Sequence, residues 1–343
     1  MAPIPPLDPI SDPRASHKTA DLNGRKYHYL LAEPQGVDVA VGTIFLIHGW
    51  PDISMGWRYQ MPYFAALGFR VVAPDLMGFG STEAPPVPPN SIHLYGFKQA
   101  SDDIAELARQ LGAKSIILGG HDWGGMVVWR CALWHPTLIS HVFSVCSPYV
   151  PPTETLVTTE QLVKGPMPQF GYQLHLASGE VEKRITSKND IRQLLSGIYN
   201  SAGPNGERVF SPQKGILFEN LPLIRPTRLL STKEMDYYVD QYATNGLHGS
   251  FNWYRTREAN WKDELELANR KTIDMPSLFI QANRDTVLLP SMAAGMGKFM
   301  PQLSRGEVDA THWALWETAQ EVNETVKDWL QKCGVLGSSK SSL

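Results

Sequence analysis

The sequence predicts an α/β protein, a mostly parallel eight-stranded sheet flanked by helices, with a mainly helical cap inserted after the sixth strand. Three observations predict it. Short apolar runs of strand length alternate with helical patterns up to about residue 150 and again from residue 277. One of these runs, residues 115–118, passes through a cluster of glycines straight into a helical stretch that His135-Pro136 stops. From Pro151 to about residue 264 the alternation ceases, and short helical patterns with many aromatic and polar residues replace it. The expected division is therefore residues 1–150 as the first part of the core, 151–264 as the cap, and 265–343 as the second part of the core. At 343 residues the chain exceeds what one simple core usually holds, which suits one large domain carrying another.

Each element has a local reason. Behind a proline-rich arm, residues 18–22 and 26–31 flank Asn23-Gly24, the strongest short hairpin signal, so the sheet should start antiparallel. Residues 43–47 form a third strand leading into His48-Gly49-Trp50-Pro51, and residues 69–73 a fourth leading into the loop from Pro74 to Gly80. A helix over 97–111 precedes the fifth strand, 115–118, and residues 141–145 make the sixth. The last two strands fall at 277–281 and 306–308, with helices expected over 291–300 and 318–331.

The fifth strand carries the most specific signal. Gly120-His121-Asp122-Trp123-Gly124 is a strand–turn–helix of the nucleophile-elbow type, with Asp122 where a serine usually sits. Serine must lose a proton before attacking. An aspartate is ionised at neutral pH, so it can open a strained ring or displace a halide at an sp³ carbon. The resulting ester has its carbonyl on the enzyme, and water must then attack Asp122 itself. The helix N-terminus beside it favours the anion.

Composition narrows the class. A hydrophobic share of 43% and a charged share of 19% describe an ordinary globular protein. With 31 basic and 34 acidic residues, the net charge of −3 argues against nucleic acid or an anionic membrane as the main partner. Cys131, Cys146 and Cys333 are odd in number and lack metal-ligand spacing, so they read as reduced thiols, and no metal or cofactor is expected. The glycines between Asp75 and Gly80 lack the context of a nucleotide-binding loop. With no signal-peptide pattern and no apolar run long enough to span a bilayer, a cytoplasmic location is expected. Lys340-Ser341-Ser342-Leu343 loosely resembles the peroxisomal address, without its basic middle residue.

Taken together, His48-Gly49-Trp50-Pro51, the Asp122 elbow, Gly171-Tyr172-Gln173, Asn252-Trp253-Tyr254-Arg255, Arg284-Asp285 and His312-Trp313 resemble the motifs of the soluble epoxide hydrolases of the α/β-hydrolase fold. The resemblance spans nearly the whole chain. It implies hydrolysis of an epoxide to a vicinal diol, with water as the only co-reactant, through an ester on Asp122. His312 would activate the water, Asp285 would orient His312, and Tyr172 and Tyr254 would support the opening oxygen. The backbone N–H groups of Trp50 and Trp123 would form the oxyanion hole. It also implies a cis Trp50–Pro51 bond.

Asp285 has one rival on position alone, Asp309, and the two tyrosines have three, Tyr237, Tyr238 and Tyr242. Trp50, Trp123, Phe170, Phe251 and Trp253 suggest an aromatic, apolar pocket for a lipophilic epoxide. A haloalkane dehalogenase would share the aspartate but would not require two cap tyrosines. A ligand-binding receptor on the same scaffold would not need every group of a two-step hydrolysis, all of which are present here.

Overall fold

Asn23 and Gly24 both take positive φ, 48° and 81°, the backbone that a two-residue hairpin turn requires. They join β1 (Ser16–Leu22) to β2 (Arg25–Ala32) in the antiparallel pair expected. The computed structural model describes residues 4–37 and 39–337, and the Lys340-Ser341-Ser342-Leu343 ending lies outside them. Next come β3 (Thr43–Ile47), α1 (Gln60–Ala66), β4 (Arg70–Pro74), α2 (Phe97–Gln110), β5 (Ile116–His121), α3 (Trp123–Trp134) and β6 (Ile139–Val145). Strands β3, β4 and β5 are buried on both faces, which is why they read as unbroken apolar runs.

The inserted segment holds α4 (Thr159–Lys164), α5 (Gly171–Ala177), α6 (Glu180–Arg184) and α7 (Lys188–Ile198). A ribbon of β7 (Phe210–Ser211) and β8 (Gly215–Ile216) follows, then α8 (Thr232–Asn245), α9 (His248–Asn252) and α10 (Arg257–Glu264). Helices α4, α7 and α8 each start on a capping box, from Thr158, Ser187 and Ser231, which satisfies otherwise orphaned N–H groups. The chain then returns to the core with β9 (Ser277–Ala282), β10 (Leu303–Val308), α11 (Ala314–Glu317) and α12 (Ala319–Lys332).

The cap is mainly helical as expected, with one small addition, and one expected helix needs correction. The ribbon is too short, at two residues a strand, to leave a period in the sequence. The helix expected over 291–300 is only a pair of 3₁₀ turns, Pro290–Ala293 and Met296–Lys298, because Gly295 and Gly297 interrupt it.

The eight strands lie in the order β1-β2-β4-β3-β5-β6-β9-β10, parallel throughout except at the first two pairings. From β3 the chain steps one way to β4 and then back past β3 to β5. This reversal opens a crevice beyond the carboxyl ends of β3 and β5. The insertion lies between β6 and β9, which pair directly in the sheet, so it stands as one long excursion over that crevice.

Close approach at the elbow depends on two glycines. A Cβ on Gly124 would sit 2.0 Å from the Ile47 carbonyl oxygen, and one on Gly120 would sit 2.3 Å from that of Gly124. Both obstacles are backbone, so neither can swing aside. Gly124→Ala should therefore lower the melting temperature sharply, by an overpacking cost of about 3 kcal/mol. Gly297→Ala, where nothing lies within 4 Å, should leave it nearly unchanged. Equal melting temperatures for the two variants would contradict this account of the elbow.

Candidate active site

Asp122 follows β5 and caps α3 with φ 53° and ψ −124°, a backbone that L-residues rarely hold unless their surroundings enforce it. Here the Ser147 hydroxyl and the Gly125 N–H both donate to the Asp122 carbonyl, at 2.7 and 3.0 Å. The turn lifts the carboxylate beyond the sheet. One oxygen, Oδ1, accepts a hydrogen bond from the Trp50 N–H at 2.7 Å. The Trp123 N–H also serves this carboxylate. Burial pushes the Asp122 pKa up, against the nearby His312 and the two N–H donors, which favour the anion. Trp50 precedes Pro51 through a cis peptide bond.

The other oxygen, Oδ2, lies 3.6 Å from Nε2 of His312. Nδ1 of that imidazole donates to Asp285 Oδ2 at 2.7 Å, and Asp285 Oδ1 accepts the N–H groups of Val287 and Leu288. Burial alone would lower the His312 pKa. The charge and hydrogen bond of Asp285, followed by the charge of Asp122, overcome it and lift the value to about 9. Burial acts upward on Asp285, but its imidazole partner and its backbone donors hold it below the usual carboxylate range. Asp309 is exposed and pairs with Arg284 at 3.0 Å, away from the imidazole.

The remaining two histidines near the site serve loops. His48 donates from Nδ1 to the Gly49 carbonyl and accepts the Leu76 N–H at Nε2. His121 donates from Nε2 to the His312 carbonyl at 2.8 Å, and the Cys146 thiol reaches the same oxygen. Burial, reinforced by the neighbouring His312, lowers the His121 pKa to about 3, so it stays neutral. Sequence spacing offers no metal cluster, yet the fold gathers His121, Cys146 and His312 with ligand atoms within 4.8 Å of one another. In this arrangement both side chains on the first two are turned to the His312 backbone.

Across the crevice stand Tyr172, at the start of α5, and Tyr254, in the turn after α9. Their rings meet edge to face with centroids 5.8 Å apart. Together with Asp122 they line both of two cavities, of about 330 and 390 Å³, which meet at the carboxylate. Burial first, and then the Asp122 charge for Tyr172 and the Tyr172 neighbour for Tyr254, raises both phenol pKa values, so both remain donors. The rival tyrosines are engaged elsewhere. Tyr238 donates to Asp52 at 2.6 Å, Tyr242 donates to the Pro51 carbonyl at 2.8 Å, and Tyr237 packs near His17.

Trp123, Phe170 and Trp253 line the first cavity and Trp50 the second. Phe251 needs correcting. It is wholly buried and lines neither cavity, because α9 turns it behind Trp50, with ring centroids 5.8 Å apart. Sequence reading missed a buried cluster beneath the Trp50 loop. Tyr199 and Tyr242, both from the cap, donate to the Pro51 carbonyl, and burial lifts the Asp52 carboxyl to about 7. Nothing in the spacing of Asp52, Tyr199 and Tyr242 signals contacts over such separations.

Residues 42–178 match a protein family described as alpha/beta hydrolase fold. The chain is 38% identical to the epoxide hydrolase srdG of Neurospora crassa over 94% of its own length and 97% of that protein. It is 32% identical to the bifunctional epoxide hydrolase 2 of Rattus norvegicus over 84% of its length, and spans 51% of that longer chain. Among solved structures it is similar to epoxide hydrolase A from Mycobacterium thermoresistibile, with a TM-score of 0.77 and 25% identity over 92% of this chain and 98% of that one. With an aspartate at its elbow and this likeness along almost its full length, the chain belongs to the epoxide hydrolase family of the α/β-hydrolase fold.

Proposed function

We propose that the protein adds water to an epoxide to give a vicinal diol, in two steps on Asp122. The observation that carries this reading is the inequality of the two carboxylate oxygens. Oδ1 is held by the Trp50 N–H, while Oδ2 faces the junction of the cavities, 3.6 Å from His312. Oδ2 attacks an epoxide carbon and the C–O bond opens. The electron pair goes to the ring oxygen, which Tyr172 and Tyr254 stabilise and protonate.

Oδ1 is now the carbonyl oxygen of the ester. Neutral His312 removes a proton from water, the hydroxide adds to the Asp122 carbonyl carbon, and negative charge gathers on Oδ1. The Trp50 N–H already points there and the Trp123 N–H serves the same carboxylate, so little reorganisation is needed. Collapse expels the diol oxygen, which is the former Oδ2 and takes the proton back from His312, and the proton left on the regenerated Asp122 carboxyl restores the phenol that gave one up in the first step. The apolar, aromatic walls favour a lipophilic substrate. No described helix is long and apolar enough to cross a membrane, and we infer that the enzyme works in the cytoplasm on epoxides that reach it there.

His312→Gln should stop the second step, so that intact mass with excess epoxide shows the protein plus one substrate. Lost turnover with no such adduct would contradict the ester. The double variant Tyr172→Phe, Tyr254→Phe should cut epoxide turnover by about 10²–10⁴-fold, the usual range for a lost general acid. Turnover within a few-fold of the parent would remove the tyrosines from the mechanism.

The pH dependence follows from the charges. The negative charge on Asp122 helps hold the His312 pKa at about 9, and esterification neutralises that charge. The His312 pKa in the ester must then lie below about 9, so the base becomes competent when it is needed. Single-turnover measurements should show ester hydrolysis rising with pH to a plateau through a midpoint below that of His312 titrated in the free enzyme. A midpoint equal to or above the free-enzyme value would refute the coupling.

A further inference from the structure

The first cavity is walled mainly by Met126, Leu156, Leu162, Met167, Phe170 and Met292, and it begins at Asp122. Polar side chains interrupt this lining, Arg130, Gln173, Asn260 and Glu264 among them, and beside these stand two further residues of α10, Arg257 and Trp261. They stand four apart, so they share one face of the helix. Arg257 is partly buried and donates from Nε to the Val157 carbonyl. Among the described residues no carboxylate lies within ion-pairing distance of its guanidinium. Of the two acids whose charges reach it, Glu264 lines the same cavity but is held by Arg130 at 2.8 Å, and Glu160 is exposed. The Trp261 indole N–H is buried with no hydrogen-bond partner. Burial lowers the Arg257 pKa from its ordinary value, as expected of a cation with incomplete compensation.

The indole N–H has no acceptor, and the guanidinium has only the Val157 carbonyl, at one wall of a mainly apolar space. Buried donors that lack partners are costly, and a ligand acceptor removes that cost. We propose that Arg257 and Trp261 form an anion-binding subsite that selects epoxides whose apolar arm ends in a carboxylate and directs that arm into the first cavity. The proposal rests on the epoxide reading of Asp122 and adds which arm goes where. A guanidinium presents paired N–H groups that match a carboxylate, and the indole supplies one more donor beside them. The second cavity also has an unpaired arginine, Arg208, but it is exposed and donates to the Asn200 carbonyl at 3.3 Å. It makes the natural control.

The test compares two epoxides on the same straight alkyl chain, one ending in a carboxylate and one in its methyl ester. The parent enzyme should prefer the acid by about tenfold or more in kcat/KM, the scale of a charge-assisted hydrogen bond. Arg257→Gln should abolish that preference, mainly through KM of the acid. Arg257→Lys should keep part of it, and Trp261→Phe should lower it by a smaller factor. Arg208→Gln should retain it. No acid preference in the parent, a preference that survives Arg257→Gln, or one that vanishes with Arg208→Gln instead would each overturn the subsite. Parent enzyme that turns over neither compound would overturn the epoxide reading as well, so the two failures are distinct.

Discussion

The hydrogen bond from the Trp50 N–H to Asp122 Oδ1 makes the two oxygens of one carboxylate different from each other. A free carboxylate is symmetric, and either oxygen could attack or be attacked. Here one is pinned by the Trp50 N–H and the other faces the imidazole and the open crevice. The pinning requires that the ends of β3 and β5 lie side by side and that α3 begin almost against β3, a contact only glycine at position 124 allows. The strained backbone of Asp122 is held by Ser147 and by its own helix. In the proposed mechanism, geometry at the end of two adjacent strands thus sets the order of the chemistry.

Charge is arranged around that carboxylate with similar economy. His312 faces Asp122 on one side and Asp285 on the other, and both raise its pKa. His121 packs beside it, with ring centroids 4.7 Å apart, and would oppose both if it carried a proton. Its burial prevents that, and the neutral ring is left to hold the His312 backbone through one N–H. The phenols are kept protonated by burial and by their anionic neighbour, the state in which they can donate. Each protonation state therefore follows from placement among a few neighbours.

Much of this was legible in the sequence, for identifiable reasons. Strands buried on both faces leave unbroken apolar runs, so β3, β4 and β5 were readable without any relative. The glycine spacing around Asp122 records a steric demand, and that demand is local. Pairing of His312 with Asp285 is not local, and only the resemblance put these two residues forward. The same holds for Tyr172 and Tyr254 among 12 tyrosines. Asp52 and the cap tyrosines beneath the Trp50 loop were out of reach, since Tyr199 meets Pro51 across 148 residues of chain. Phe251 was misjudged because composition counts aromatic rings and says nothing of where a short helix turns them. Residues 291–300 were misjudged because two glycines outweighed an apolar pattern.

The insertion leaves from the end of β6 and returns at β9, and these strands are hydrogen-bonded neighbours. Its two roots are therefore close together, and its interior can lengthen, shorten or change composition without disturbing the register of the sheet. Asp122, Asp285 and His312 are rooted in the sheet, whereas the two phenols and the walls of the cavities come largely from the excursion. Evolution can accordingly retune which molecules are admitted in one module while the other keeps its bond-breaking apparatus intact.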